Sequence, residues 1–291
     1  MNRSVEILGW IGRRIGKPRG WERVVRLFTS PERCRGMEDV PIIRDGTTFI
    51  AQPGVPLGWH IALFGTYEPE LREIFGRILP AGGVVVDVGA NVGWHTMLMA
   101  RLVGESGRVF AAEANPSVRV RLEEHLHLNG LRQVAVLPFA LGDRNGSVEF
   151  HAPGVDKLAS GDGHVVAPGE SGAPDVIRVE VRTLDDALES RNLGRLDLIK
   201  IDVEGFEWPV LSGADRSIGR FRPHVIFETI AEYLHRGGAT PQVIAHFFAK
   251  HRYRLYAVGR SGARPVSLEH WPDAANLWAM PLPGVAASEA G

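Results

Sequence analysis

From Val84 onward, short continuous apolar runs alternate with segments of helical spacing. Val84-Val85-Val86 is a β-branched run of the kind expected in a strand buried on both faces. The pattern then predicts a turn at Gly89–Gly93, a helix over Thr96–Val103 and a strand over Arg108–Ala112. A helix over Pro116–Leu128, closed by Asn129-Gly130, and a strand over Val134–Leu137 follow. This β-α-β-α-β alternation implies a parallel sheet with right-handed crossovers. The rhythm resumes later, with strands expected at Leu196–Ile201, His224–Glu228, Arg254–Val258 and Asn276–Met280. Helices are expected at Gly205–Leu211 and Pro241–Lys250.

Two stretches differ. Residues 36–66 read as short strands, Pro41–Arg44, Thr47–Ala51 and Ile61–Phe64, broken by Asp45-Gly46 and Pro53-Gly54. A helix follows over Pro69–Leu79, with Leu71, Ile74, Phe75 and Ile78 at helical spacing. Residues 142–176 are rich in glycine and proline. A hairpin strand at Ser147–His151 leads into a loop over 152–175, which is either functional or mobile. A strand at Ile177–Arg182 and a helix capped by Thr183 end the interruption. We therefore expect an N-terminal extension over 1–65, with a basic helical start and short strands. One domain covers 66–282, and a frayed tail 283–291.

With 291 residues, 44% of them apolar, the chain can bury one sizeable core. Its 33 basic and 34 acidic side chains argue against a nucleic-acid coat and for a small or neutral target. Cys34 is alone, so no internal disulfide forms, and no Cys/His cluster has metal-site spacing. No apolar run approaches the ~18–20 residues that span a bilayer, and no leader pattern stands at the start. The expectation is a soluble, cytoplasmic protein without a metal. Residues 1–35 carry nine Lys/Arg against three acids, with Trp10 and Trp21 among them. They read either as a solvated extension or as a surface for peripheral contact with an anionic membrane or an acidic partner.

The strongest chemical signal is Val84-Val-Val-Asp87-Val-Gly89-Ala90-Asn91-Val-Gly93. A buried strand enters a glycine turn and then a helix, whose first N–H groups lack partners. Gly89 lets backbone approach a ligand closely. Dinucleotide enzymes use G-x-G-x-x-G; here the spacing is G-x-x-x-G, with an acid two residues before it. That acid, Asp87, would repel a pyrophosphate and suits a ligand carrying an ammonium and a sulfonium. Glu113, 24 residues after Gly89, ends the second strand, where an acid accepts hydrogen bonds from both ribose hydroxyls. Farther on, Lys200, Asp202 and Glu204 alternate at a strand end and share one face. Their company is either functional or a structural Lys–carboxylate pairing.

The blocks Gly65-Thr-Tyr67-Glu68-Pro69, Val86-Asp-Val-Gly-Ala-Asn-Val-Gly-Trp-His-Thr96, Ala112-Glu-Ala-Asn-Pro116, Phe139-Ala-Leu-Gly-Asp143, Val181-Arg-Thr-Leu-Asp185, Ile199-Lys-Ile-Asp-Val-Glu-Gly-Phe-Glu207 and Arg222-Pro-His-Val-Ile-Phe-Glu228 stand in order across residues 65–230. The chain resembles the FkbM family of methyltransferases. It departs from the commoner family pattern at Ala112, where an aromatic residue is more frequent. The resemblance implies a Rossmann-like class I fold: a mostly parallel, doubly wound α/β sheet with an antiparallel last strand. It implies S-adenosylmethionine as methyl donor, O-methylation of a small-molecule or carbohydrate hydroxyl acceptor, and no required metal. Carried over by position, Asp87, Gly89, Ala90, Asn91, Gly93 and Glu113 line the cofactor site. Ala140 and Leu141 lie near the adenine, and Asp202 and Glu204 near the transferred methyl. Tyr67 and Glu68 close over the cofactor, or Glu68 caps the helix behind it. His95 is a cofactor-side or structural contact.

A hydroxyl acceptor calls for a base. Asp202, Glu204, His95, His224 and Glu228 are the candidates, and Asp202 and Glu204 are favoured for their place at the strand end. Three rival readings fit the residues less well. A nicotinamide oxidoreductase lacks its glycine pattern here. A non-catalytic module would not keep Asp87, Gly89, Gly93, Glu113 and Asp202 together. A nucleic-acid base methyltransferase often carries an Asn/Asp-Pro-Pro-aromatic run where this chain has Asp202-Val-Glu204-Gly205.

Overall fold

The computed structural model describes residues 21–154, 163–166, 175–234 and 237–283. The basic residues before Trp21, two parts of the expected 152–175 loop and the tail from 284 lie outside the described residues.

Helix α1 (Trp21–Phe28) precedes a hairpin of β1 (Val40–Arg44) and β2 (Thr47–Ala51), then α2 (Pro56–Phe64) and α3 (Pro69–Ile78). The alternating region follows as β3 (Val84–Val88), α4 (Trp94–Val103), β4 (Arg108–Ala112), α5 (Pro116–Leu128) and β5 (Val134–Leu137). Four short strands, β6 (Ala140–Leu141), β7 (Gly146–His151), β8 (His164–Val165) and β9 (Val176–Arg182), make a side sheet. The chain then runs through α6 (Leu184–Glu189), β10 (Leu198–Ile201), α7 (Glu207–Ser212), α8 (Asp215–Phe221) and β11 (His224–Ile230). It ends with α9 (Ala231–Leu234), α10 (Pro241–Lys250), β12 (Tyr253–Gly259), β13 (Gly262–Pro265) and β14 (Ala274–Pro281).

The main sheet has the order β13-β12-β14-β11-β10-β3-β4-β5. The five strands from β5 to β11 are parallel, and β14 runs antiparallel to both β11 and β12. This is the doubly wound sheet with an antiparallel last strand that the sequence predicts. From β3 the chain winds outward through β4 and β5, then returns to build β10 and β11 on the other side. The switch point between β3 and β10 opens a crevice at the carboxyl ends of the strands.

Every residue of β3 and β10 is buried, which is why these strands carry continuous apolar runs rather than alternation. Packing on one face unites Val86, Ile199, Phe227 and Phe248. On the other face Val85, Met97, Met99, Leu122 and Leu198 pack with Ile42, Phe49, Ala51 and Ile61 from the N-terminal segment. Each such aliphatic or aromatic side chain contributes about 1.5–3 kcal/mol on burial. Residues 42–61 thus share the core of the α/β region.

The expected strand at Ile61–Phe64 is instead the end of α2. Gly58 through Phe64 are all buried, so the helix has no polar face to reveal a 3.6-residue period, and an apolar run of four mimics a strand. Pro56 starts it and Gly65, at φ 66°, ends it.

Candidate functional site

The crevice holds a cavity of about 400 Å³. Glu68, Gly89, Ala90, Asn91, His95, Glu113, Ala140, Leu141, Asp202 and Glu204 all line it. Their sequence separation is wide, and the strand ends of one sheet bring them together.

The turn after β3 is fixed by close contact between strands. A Cβ built on Gly89, at φ 76°, falls 1.8 Å from the Asp202 carbonyl oxygen. No other residue type fits there without moving the end of β10. Asp87 does not face the cavity as a ligand group would. It is 0% exposed; its Oδ2 accepts the Thr96 hydroxyl at 2.6 Å. Its Oδ1 has no hydrogen bond and stands 3.6 Å from the Lys200 Nζ. Gly93 likewise stands behind the surface, against Leu122.

Glu113 follows β4. Its two oxygens accept the Asn91 and Asn115 N–H groups, each at 2.8 Å. Burial pushes its carboxyl up to about 7, although the two N–H groups favour the ionised form. The carboxylate therefore fixes the glycine turn and the start of α5 at once. Asn115 caps α5 through the Ser117 N–H, and its Nδ2 donates to the Pro153 carbonyl. Phe139, Phe150, Val165 and Phe206 form an apolar wall beside Ala140 and Leu141.

Glu68 stands at the start of α3 with φ 43°, and its side chain makes no cap hydrogen bond. It accepts instead from His95 Nε2 at 2.9 Å and from Asn276 Nδ2 at 2.7 Å. Burial alone would raise the Glu68 carboxyl; the hydrogen bond and charge of His95 hold it below its ordinary range. The other ring nitrogen of His95, Nδ1, is buried without a partner. One carboxylate thereby ties α3, α4 and β14 across the top of the cavity.

At the other end, Lys200 is 3% exposed. Its Nζ lies 3.2 Å from Asp202 Oδ2 as well as near Asp87. Burial alone would lower this amine, but Asp202, Asp87 and Glu68 outweigh it and keep Lys200 above its usual range. Glu204 has φ 52°, and Gly205 φ 101°. This bent loop is held by Glu207, whose Oε1 accepts the N–H groups of Val203 at 3.1 Å and Gly205 at 3.2 Å. Burial pushes the Glu207 carboxyl up to about 7 against those two hydrogen bonds. Glu228, two residues before the end of β11, brings an oxygen within 4.8 Å of oxygens on Asp202 and Glu204.

His224 opens β11, at the end of that strand away from the carboxylates. It accepts from Trp278 Nε1 at 3.1 Å and does not line the cavity. Three residues with work at the site have no role assigned from sequence: Glu207 and Thr96, which close two of the resemblance motifs, and Asn276, which stands in none. Thr96 sits nine positions from Asp87 and Asn276 is 208 residues from Glu68, spacings that only the folded sheet explains. Among the described residues no helix is long and apolar enough to cross a membrane.

The methyltransferase FkbM domain model matches residues 87–255, more than half of the chain. The chain is 30% identical over 202 residues to the AMB antimetabolite synthetase AmbE of Pseudomonas aeruginosa, covering 55% of this chain and 9% of that protein. It is 26% identical over 167 residues to the 2-O-methyltransferase NoeI of Sinorhizobium fredii, covering 52% of this chain and 65% of that one. It thus spans less than two thirds of either relative. A crystal structure of a methyltransferase FkbM from Methylobacillus flagellatus KT superposes on 76% of this chain and 52% of its own, with 17% identity and a TM-score of 0.43. The chain belongs to the FkbM family of methyltransferases.

Proposed function

We propose that the protein transfers a methyl group from S-adenosylmethionine to a hydroxyl oxygen of a small-molecule or carbohydrate acceptor. The observation that carries this reading is the cavity at the switch point, where a glycine turn, Glu113 and the β10 carboxylates meet.

The residues present fit that donor. The Gly89 turn has no room for a side chain. Glu113 is pinned by two N–H groups, and its remaining lone pairs suit a ribose diol. The cavity is lined by five carboxyl groups, Glu68, Glu113, Asp202, Glu204 and Glu228, against Arg26, Lys200 and Arg260, and this acidic excess, which a cation would deepen, favours a ligand bearing ammonium and sulfonium over a pyrophosphate. When bound, the donor supplies an electrophilic methyl group on a positively charged sulfur. In this reading Ala140, Leu141 and Phe206 hold the adenine, and Glu113 the ribose. Ala90, Asn91, Glu68 and His95 hold the amino-acid end. Asp87 and Gly93 act from behind, through Lys200 and α5.

Asp202 and Glu204 are the carboxylates that meet the acceptor. Their chief service is orientation, because an in-line displacement depends on alignment of its three centres. Lys200 fixes Asp202 and Glu207 fixes the loop that bears Glu204. The name of NoeI as a 2-O-methyltransferase supports oxygen as the acceptor atom. The nearly balanced charge of the chain supports an acceptor other than nucleic acid.

Thermal unfolding with S-adenosylmethionine, S-adenosylhomocysteine and NADH tests the donor. At about 100 times its dissociation constant a ligand stabilises by about 2.7 kcal/mol, or about 5–10 °C for a domain of this size. Shifts with both sulfur nucleosides and none with NADH are expected. A shift with NADH alone would replace the reading with an oxidoreductase.

A further inference from the structure

The carboxyl edge of β10 and β11 gathers more negative charge than its nearest amine offsets. In the parallel register Ile201 lies beside Phe227, so the next pair along the edge is Asp202 and Glu228. Glu228 also lies beside Asn276 of β14. Oxygens of Asp202, Glu204 and Glu228 stand within 4.8 Å of one another. Lys200 is 3.2 Å from Asp202 and 3.6 Å from Asp87; it makes no such contact with Glu228. Glu207 from α7 and Glu68 from the start of α3 are further carboxyl groups around Glu228, Tyr67 and Asn276 are its neutral polar surroundings, and Arg260 is a further cation in the lining of the same cavity. Carboxylates this close do not all ionise near neutrality, and Glu228, which has no ion-pair partner among the described residues, is the one placed to keep its proton.

We propose that Glu228 is a protonated carboxylic acid when the cavity holds no cation, and releases its proton when a sulfonium-bearing ligand enters. Donor binding itself then prepares the base that an acceptor hydroxyl needs. This inference rests on the methyltransferase reading of the cavity given above. Burial and the Asp202, Glu204, Glu207 and Glu68 carboxylates push Glu228 up to about 8, in keeping with a proton held at neutral pH. A positive sulfur beside these carboxylates reverses that balance, and the proton leaves to solvent. An acceptor hydroxyl then gives its proton to the Glu228 carboxylate as its oxygen bonds to the methyl carbon. The carbon–sulfur electron pair stays on sulfur, leaving a neutral thioether.

Isothermal titration calorimetry reads this without an acceptor. S-adenosylmethionine and S-adenosylhomocysteine are titrated into the full chain at pH 7 with EDTA present, in phosphate and in Tris. The two buffers differ in ionisation enthalpy, so the heat difference counts protons released. We expect the sulfonium ligand to release up to about one proton more than the thioether, and Glu228→Gln to abolish the difference. In the wild type, S-adenosylmethionine affinity relative to S-adenosylhomocysteine should strengthen from pH 6 to 8, by up to about tenfold per unit. That series needs no variant, so a poorly folding Glu228→Gln leaves the test intact. Equal proton counts for the two ligands, a difference that survives Glu228→Gln, or a release seen only when Mg²⁺ replaces EDTA would each overturn the proposal. Failure of both ligands to bind would instead remove the donor assignment beneath it, and the proposal with it.

Discussion

The two ends of the cavity handle their carboxylates in opposite ways. At the β3–β4 end, Asp87 is bound to Thr96 and stands beside Lys200, and Glu113 accepts two backbone N–H groups. These acids hold the glycine turn, α4 and α5 in place. At the β10–β11 end, Asp202, Glu204 and Glu228 crowd one another, while Glu207 behind them takes the backbone-holding part. One end is organised around a fixed shape, the other around charge able to change. Substitutions at the first should alter folding and donor affinity, and substitutions at the second should alter proton traffic.

The largest effect should come from the shape-holding end. Gly89→Ala places a Cβ 1.8 Å from the Asp202 carbonyl oxygen and keeps a left-handed φ of 76°. Strain of this kind costs on the order of 3 kcal/mol. Chemical denaturation should show that loss, together with loss of S-adenosylhomocysteine binding. A variant as stable as the parent would show that the strand ends can part freely, and the contrast would fail.

Next in size is Glu113→Ala, which removes the acceptor of the Asn91 and Asn115 N–H groups and the group assigned to the ribose. Lost hydrogen bonds to a charged group cost about 1.5–3 kcal/mol, so S-adenosylhomocysteine affinity should fall about 10- to 150-fold. Unchanged affinity would refute the ribose role. Glu207→Ala tests the other end by leaving the Val203 and Gly205 N–H groups unpaired, at a cost of about 1–3 kcal/mol in stability. Its S-adenosylhomocysteine affinity should stay within a few fold, because Glu207 holds the acceptor-side loop. Glu207→Gln, which keeps an acceptor oxygen, should recover most of the stability. A large affinity loss in Glu207→Ala would merge the two ends into one rigid unit.

The sequence makes the first end far more legible than the second. Buried strands such as Val84–Val88 announce themselves by apolar runs, and the glycine turn and Glu113 follow at fixed spacing. The Asp202–Glu204 cluster is also visible, because charge on a buried strand end is conspicuous. Glu228 is visible too, as a candidate base on another strand, but its closeness to Asp202 and Asn276 comes only from sheet register, and Asn276 has no sequence signal at all. Glu207 closes a resemblance motif without an assigned role until its oxygen is seen to hold two N–H groups of the preceding loop. The Ile61–Phe64 error has the same root: a helix buried all round loses the period by which sequence identifies it. Helix α8 escaped notice for the opposite reason. It is short and largely polar, and its first turn is held from outside by Asp185, which accepts the Arg216 and Ser217 N–H groups.

The smallest effect should separate the two ends by pH. His125 lies under the glycine turn; its Nδ1–H donates to the Val92 carbonyl at 2.7 Å and its Nε2 accepts the Ile50 N–H at 3.0 Å. The Ile50 contact requires the neutral ring, and burial holds its pKa below the ordinary value despite the Val92 carbonyl, which either form of the ring can donate to. A histidine depressed in the folded state binds its proton first in the unfolded chain. Its stability contribution is complete above about pH 6.5 and is lost as pH falls toward the folded value, at up to about 1.4 kcal/mol per unit. Glu207 works in the opposite sense. Its raised carboxyl keeps a proton that the unfolded chain has released, so its contribution is present below about pH 4.5 and is lost as pH rises through about 7. Stability curves of the parent minus those of His125→Gln should therefore rise with pH between 5 and 6.5, and the corresponding difference for Glu207→Gln should fall between 4.5 and 7. If both differences ran the same way, the assignment of a fixed neutral histidine to one end and a reluctant acid to the other would be wrong.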